Sequence, residues 1–158
     1  MAAAGRVDPT ANNRKEKGQS MVEFALVLPL FLIVMFIIAD FGVGFSRWLV
    51  ITNATREGAR MGTVGTELTE VQDRTAATSN GLLALSDVTV NYQDFDGNGY
   101  PADSGDAVVV SAAYDYNLIT PLGAFLNLAF GSITLSSCSD MRLETDVSGA
   151  DSLGGPGC

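Results

Sequence analysis

Residues 18–46 read GQSMVEFALVLPLFLIVMFIIADFGVGFS, and the architecture of the whole chain turns on them. Sixteen residues, Phe24 to Ala39, pass without a charge, and with Asp40 tolerated the apolar character lasts to Ser46. Coiled as a helix, Phe24–Ser46 spans about 35 Å, enough to cross the hydrocarbon core of a bilayer. A chain of 158 residues cannot surround so uniform a helix with a core of its own. The expectation is a transmembrane segment at about 24–46. Arg14, Lys15 and Lys17 stand just before it, and the positive-inside rule keeps that flank in the cytoplasm. A single-pass protein of the cell membrane follows, with everything after Trp48 extracytoplasmic. Gly42-Val43-Gly44 is a weak signal-peptidase candidate, and no A-x-A site accompanies the block.

Composition removes several classes of chemistry. Histidine is absent and the only lysines are Lys15 and Lys17, which excludes Ser-His-Asp and Cys-His catalysis, histidine-ligated zinc and a P-loop. Carboxylate pairs survive that cut, but acids such as Asp94 and Asp96 are spaced for a turn more than for a cleft. The expectation is that the protein is not an enzyme. Of the net charge of −9, residues 1–18 contribute +2, while residues 87–158 carry ten acids against Arg142 alone. So acidic a C-terminal half repels phosphate backbones and argues against nucleic-acid binding.

Glu23 sits at the cytoplasmic start of the span, where a carboxylate is costly unless it snorkels, protonates or finds a partner. A cut after Gly18 would give Gln19 a new α-ammonium and make Glu23 the fifth residue of the mature chain, about one helical turn away. In a stack of such subunits, the carboxylate of one neutralises the ammonium of its neighbour. The plainer alternative is an acid favoured by the helix macrodipole.

Gly18-Gln-Ser-Met-Val-Glu23-Phe24 resembles the prepilin-peptidase site of type IV pilins. Together with the apolar helix and TNATREGAR (residues 52–60), it resembles the TadE-like pseudopilins of the tight-adherence (Tad, or Flp) pilus system. The likeness is strong over residues 17–62, with weaker echoes in DVTVNY, ITPLGAF and ITLSSCSDMRLE. The resemblance implies a prepilin-peptidase cleavage between Gly18 and Gln19, with Glu23 as the assembly carboxylate. It implies as partners a membrane-embedded aspartyl prepilin peptidase, other pilin-like subunits and the inner-membrane pilus assembly machinery. The function it implies is that of a minor pilin-like subunit in Tad-type pilus assembly, with a role in adhesion open. The alternative is an uncleaved, signal-anchored extracellular binding or adhesion domain.

Beyond the span the helix should continue outward to Gly62 and Gly65, with Phe41, Phe45, Trp48, Thr52, Thr55 and Ala59 on one packed face. Arg56 and Arg60, at i,i+4, read as part of a solvated charged face, and Pro29 should kink the span. Asp40 reads as interfacial. A short helix is expected within 66–77, strands at Val88–Tyr92, 107–116 and 132–144, and a short helix or packed loop over 118–130. The organisation is a basic leader at 1–18, a long helix at 19–65, an extracytoplasmic domain at 66–147 and a flexible tail at 148–158. The fold class is α+β, a long N-terminal membrane-spanning helix packed on a small antiparallel sheet, as in pilins.

Two further features carry chemistry. Asp94, Asp96 and Asn98, with Gly99 following, match the first half of a calcium loop, but the twelfth position is Gly105 where glutamate is required. Asp103 or Asp106 would have to substitute, and an acidic hairpin turn is the stronger alternative. No other cofactor is expected. Cys138 and Cys158 face an oxidising compartment, where an intramolecular disulfide competes with free thiols and intermolecular pairing.

Overall fold

A computed structural model of the chain describes residues 10–100, 102–147 and 157–158. The first nine residues of the leader, and the expected flexible tail apart from Gly157 and Cys158, lie outside them. Helix α1 runs as one continuous element from Thr10 to Gly62, 53 residues, with Pro29 inside it. Its Gly18–Gly62 portion contains an 18-residue window long and apolar enough to cross a membrane, none of it buried within the protein. Leu26, Leu30, Met35 and Ile38 therefore stand exposed on a helix that is apolar all round, which is the surface a lipid environment suits.

After Gly62 the chain turns at Gly65, whose positive φ of 80° suits glycine, and returns as α2, Leu68–Thr78. Strand β1 (Val88–Gln93) and β2 (Ala107–Tyr116) follow, then α3 (Pro121–Phe130) and β3 (Ile133–Arg142). The sheet is antiparallel in the order β1-β2-β3, with Val90 opposite Val110 and Val110 opposite Ser139. Period-two alternation turns Val88, Val90 and Tyr92 of β1, and Val108, Val110, Ala112 and Tyr116 of β2, into the core. Each fully buried Val contributes roughly 1.5–3 kcal/mol. The other wall of the core is α1, through Ile51, Ala54, Thr55 and Ala59, with Val71 of α2 closing one side.

The buried face of α1 is not the one the aromatic spacing suggests. Thr55 and Ala59 are buried as expected, but Phe41, Phe45 and Trp48 stay largely exposed and pack on one another, with centroid separations of 6.2 and 5.8 Å. The burial stripe runs one residue over, through Asp40, Gly44, Ile51, Ala54, Gly58 and Gly62. Small residues win this face because the sheet and α2 come so close. A Cβ on Gly62 would lie 2.8 Å from Val108 Cγ2, and one on Gly58 would overlap Thr75 Oγ1.

Strand β2 lies along α1. Tyr116 Oη donates to the Asp40 carbonyl and packs on Gly44, while Val108 packs on Gly62. Eight strand residues rise about 26 Å, and eighteen helix residues about 27 Å, so the two elements stay in step. The Tyr116–Ile133 end of the sheet lies at the span, and the Gln93–Ala107–Arg142 end points away from it.

Candidate functional site

The expected site residues fall at three separate places. At the start of the span, Gln19 Nε2 donates to Glu23 Oε1 at 3.1 Å, within one turn of α1. Both side chains are exposed, as is Gly18, around which no atom lies within 4 Å of an added Cβ. The helix thus presents the Gly18–Gln19 bond and the Glu23 carboxylate on an open surface. Arg56 and Arg60 are also exposed, and Glu57 pairs across to Arg74 of α2 at 2.8 Å. The hydrogen bond and charge of Arg74 hold the Glu57 carboxyl below its ordinary range.

The second place is the β1–β2 loop at the far end of the sheet. Asp94 accepts the amides of Gly97 (2.6 Å) and Gly99 (2.8 Å), one on each oxygen. Asp96 accepts the Asn98 amide at 3.0 Å, and Asn98 Nδ2 reaches Asp103 Oδ2 at 2.6 Å. Asp106, fully buried, accepts from the Phe95 amide at 2.8 Å. Carboxylate oxygens of Asp94, Asp96 and Asp106 come within 4.8 Å of one another, so Asp106, not Asp103, joins the first two acids. Asn98 serves the loop as a donor to the carboxylates. An all-oxygen donor set of this kind fits a hard cation, and the same contacts also make a self-contained acidic turn.

Burial pushes the Asp106 carboxyl up, but the amides of Phe95 and Asp103 outweigh it and hold it below the ordinary range. Asp103 goes the other way. The Asn98 amide pulls its carboxyl down, yet burial and the facing carboxylates of Asp106 and Asp96 prevail and raise it.

At the third place, Cys138 of β3 and Cys158 form a disulfide across 20 residues of sequence, and Gly157 lies against the Gln93 side chain.

Asp40 is a structural anchor that the sequence reading placed at the interface. It is only 5% exposed, and its carboxylate accepts from the Ile119 amide (2.9 Å), the Thr120 amide (3.1 Å) and Thr120 Oγ1. Thr120 is the N-cap of α3 and Pro121 its first residue, the arrangement expected at a helix start. An acid inside an apolar run, together with a Thr-Pro helix start elsewhere, is the available signal, since a buried carboxylate needs donors. Above it, Arg47 stacks over the rings of Tyr114 and Tyr116 at 5.7 and 5.6 Å.

The long apolar helix, the exposed acid five residues beyond Gly18 and the small sheet at its outer end form a pilin-like α+β arrangement. Residues 18–60 match the model of the TadE-like protein family. The match opens on Gly18 itself and runs to Arg60, two residues short of the end of α1. The TadE-like segment is thus the whole span together with the helix face that carries the sheet. The match covers residues 18–60 of the 158, and over that segment the chain is similar to TadE-like proteins. No curated protein and no solved structure matches the chain.

Proposed function

We propose that the protein is a minor pilin-like subunit, a pseudopilin, that takes part in assembling a Tad-type pilus. A prepilin peptidase cuts it between Gly18 and Gln19, and the remaining helix packs laterally against the spans of other subunits. The observation that carries this reading is the TadE-like match beginning at Gly18, laid over a helix whose apolar surface is unburied from Met21 to Ala39 except at Phe36, which is partly covered. On cutting, Glu23 exchanges its Gln19 amide contact for the α-ammonium of a neighbouring subunit, an ion pair of high value where water is excluded. The leader stays in the cytoplasm, the inner-membrane assembly machinery receives the span, and the sheet domain faces outward. No catalytic step belongs to the subunit itself.

The test is the N-terminus of the protein recovered from cell envelopes, by intact mass and terminal sequencing. A start at Gln19 is expected. A start at Met1 overturns the processing step and favours an uncleaved anchor carrying an extracellular binding domain. Glu23→Ala should insert in the membrane normally and fail to support piliation, counted by electron microscopy. Wild-type pilus numbers in that variant would remove the pairing mechanism.

A further inference from the structure

Helix α3 is the one element of the outer domain without a charged side chain anywhere near it in sequence. Tyr116 to Ser139 is 24 residues with no Asp, Glu, Lys or Arg, in a half of the chain that is otherwise strongly acidic. Its apolar side chains are not used up in the core. Leu128 is 88% exposed, Phe125 67% and Ile119 61%, and Ile133 at the start of β3 is exposed beside them. Such a face on a soluble surface would be a liability, and here it is continuous with something that explains it.

The hydrogen bonds fix its height. Asp40 takes the amides of Ile119 and Thr120, so the start of α3 is tied to α1 seven residues below Arg47, about 10 Å along the helix axis. Arg47 and Trp48 are the residue types that mark a membrane–water boundary. Between α1 and α3 lies an apolar groove of about 470 Å³ whose walls include Ile37, Phe41, Phe45, Leu122 and Leu126. Ile37, Phe41 and Phe45 belong to the span as the sequence delimits it, so the exposed surface of α3 runs into the surface of the span without a polar break. Apart from Asp40 itself, the acid immediately before the charge-free stretch in sequence is Asp115, which is exposed and engaged by Thr134 Oγ1 at 2.7 Å. The acids of the β1–β2 loop, with Glu144, sit at the opposite end of the sheet, around Asp94 and Asp106.

We infer that α3 is a second membrane-contacting element, a foot embedded in the outer leaflet, whose Ile119, Phe125 and Leu128 face acyl chains. Asp40 makes this arrangement workable. It satisfies the first polar groups of the foot where water is scarce, and the foot in turn supplies the donors that a carboxylate at that depth requires. The occupant of the apolar face is lipid, since the face is an extension of the surface that the span already offers to lipid. The inference rests on the reading of residues 24–46 as a membrane span.

Single-tryptophan reporters test both. Trp48 is the only tryptophan, so the full chain carrying Trp48→Phe is combined in turn with Leu128→Trp, Phe125→Trp, Ile33→Trp in the span and Thr89→Trp on the outward face of the sheet. Each is reconstituted in phosphatidylcholine vesicles with acyl chains brominated near the headgroup or near the midplane. The expected result is quenching at 128 or 125 at least half as large as at 33, stronger from the shallow bromines, with position 89 unquenched. Quenching at 33 with none at 125 and 128 overturns the foot while the span stands. No quenching at 33 overturns the span and the foot with it. A blue-shifted, unquenched position 128 that reverts as vesicles are diluted in protein would show a second copy covering α3, which also overturns the inference.

Discussion

Asp103 and Asp106 stand three residues apart in the β1–β2 loop, and the fold treats their charges oppositely. Asp106 is held below the ordinary carboxylate range by two amide donors, so its contribution to stability is complete above the unfolded value near 3.9 and is lost as pH falls through its folded value. Asp103 is held above it, so its ionised form opposes folding at neutral pH, and that opposition fades on acidification. Asp106→Asn should therefore lower the melting temperature at pH 7, at a cost of about 1–3 kcal/mol for turning an NH₂ toward the Asp103 amide. The deficit should shrink below the carboxylate range. Asp103→Asn should raise the melting temperature at pH 7, because it keeps the acceptor for Asn98 and removes a like charge. Thermal melts of the whole chain in detergent, with EDTA, check both, and a lowered melt for Asp103→Asn would refute the assignment of strain. Millimolar CaCl₂ in place of EDTA in these melts is the check on the cation reading. A rise that MgCl₂ does not reproduce supports it, and an unchanged melt leaves an acidic turn. The sequence motif showed Asp94, Asp96 and Asn98 and left their partner open between Asp103 and Asp106. Asp106 joins them only because β2 begins beside the end of β1, a placement that pairing supplies and local spacing does not.

Among the elements, α1 is the most legible and also the most instructive where it was misread. Its apolar run and its end at Gly62 follow from composition and breakers, whereas its start at Thr10 lies within the stretch read as a leader. The packed face does not, because hydrophobic periodicity favours the large side chains Phe41, Phe45 and Trp48, whereas the sheet selects the strip where backbone can approach. Gly44, Gly58 and Gly62 look like weak helix positions when read alone. They become contacts once Tyr116, Thr75 and Val108 are known to lie opposite. Helix α3 was likewise ambiguous between helix and loop, and its Thr120-Pro121 start is secured by an acid 80 residues earlier. The close approach has a direct consequence. Gly62→Ala should cost about 1–3 kcal/mol through overpacking against Val108. Gly42→Ala, with no atom within 4 Å of the added carbon, should be tolerated. Denaturant unfolding followed by tyrosine emission measures both. Val108→Ala should recover part of the Gly62→Ala loss in a double-mutant cycle, and strict additivity would show that the two residues do not meet.

The molecule as a whole is polarised along one axis: a bare apolar helix, a collar where the charge-free α3 meets Asp40, a sheet, and an acidic far end. The disulfide ties the last residue of the chain to the middle of β3, on a strand that is otherwise an open edge. Its effect is argued on the unfolded chain, where closing a loop of 20 residues removes conformational freedom worth roughly 3 kcal/mol in the entropy model. Cys138→Ser with Cys158→Ser should thus lower the melting temperature of the outer domain without removing a packed apolar side chain. Reductant on the native protein should reproduce the shift. The same bond reports which side of the membrane the domain occupies. On the proposed orientation, with the basic flank in the cytoplasm, residues 138 and 158 would meet an oxidising compartment, where such a bond persists. Protein taken from cell envelopes under alkylating conditions should give one peptide pair linked through these cysteines on non-reducing mapping. Recovery of both thiols alkylated would contradict the orientation as well as the bond. A linked pair between two chains would keep the orientation and shift the role of Cys158 from closing its own domain to joining neighbours.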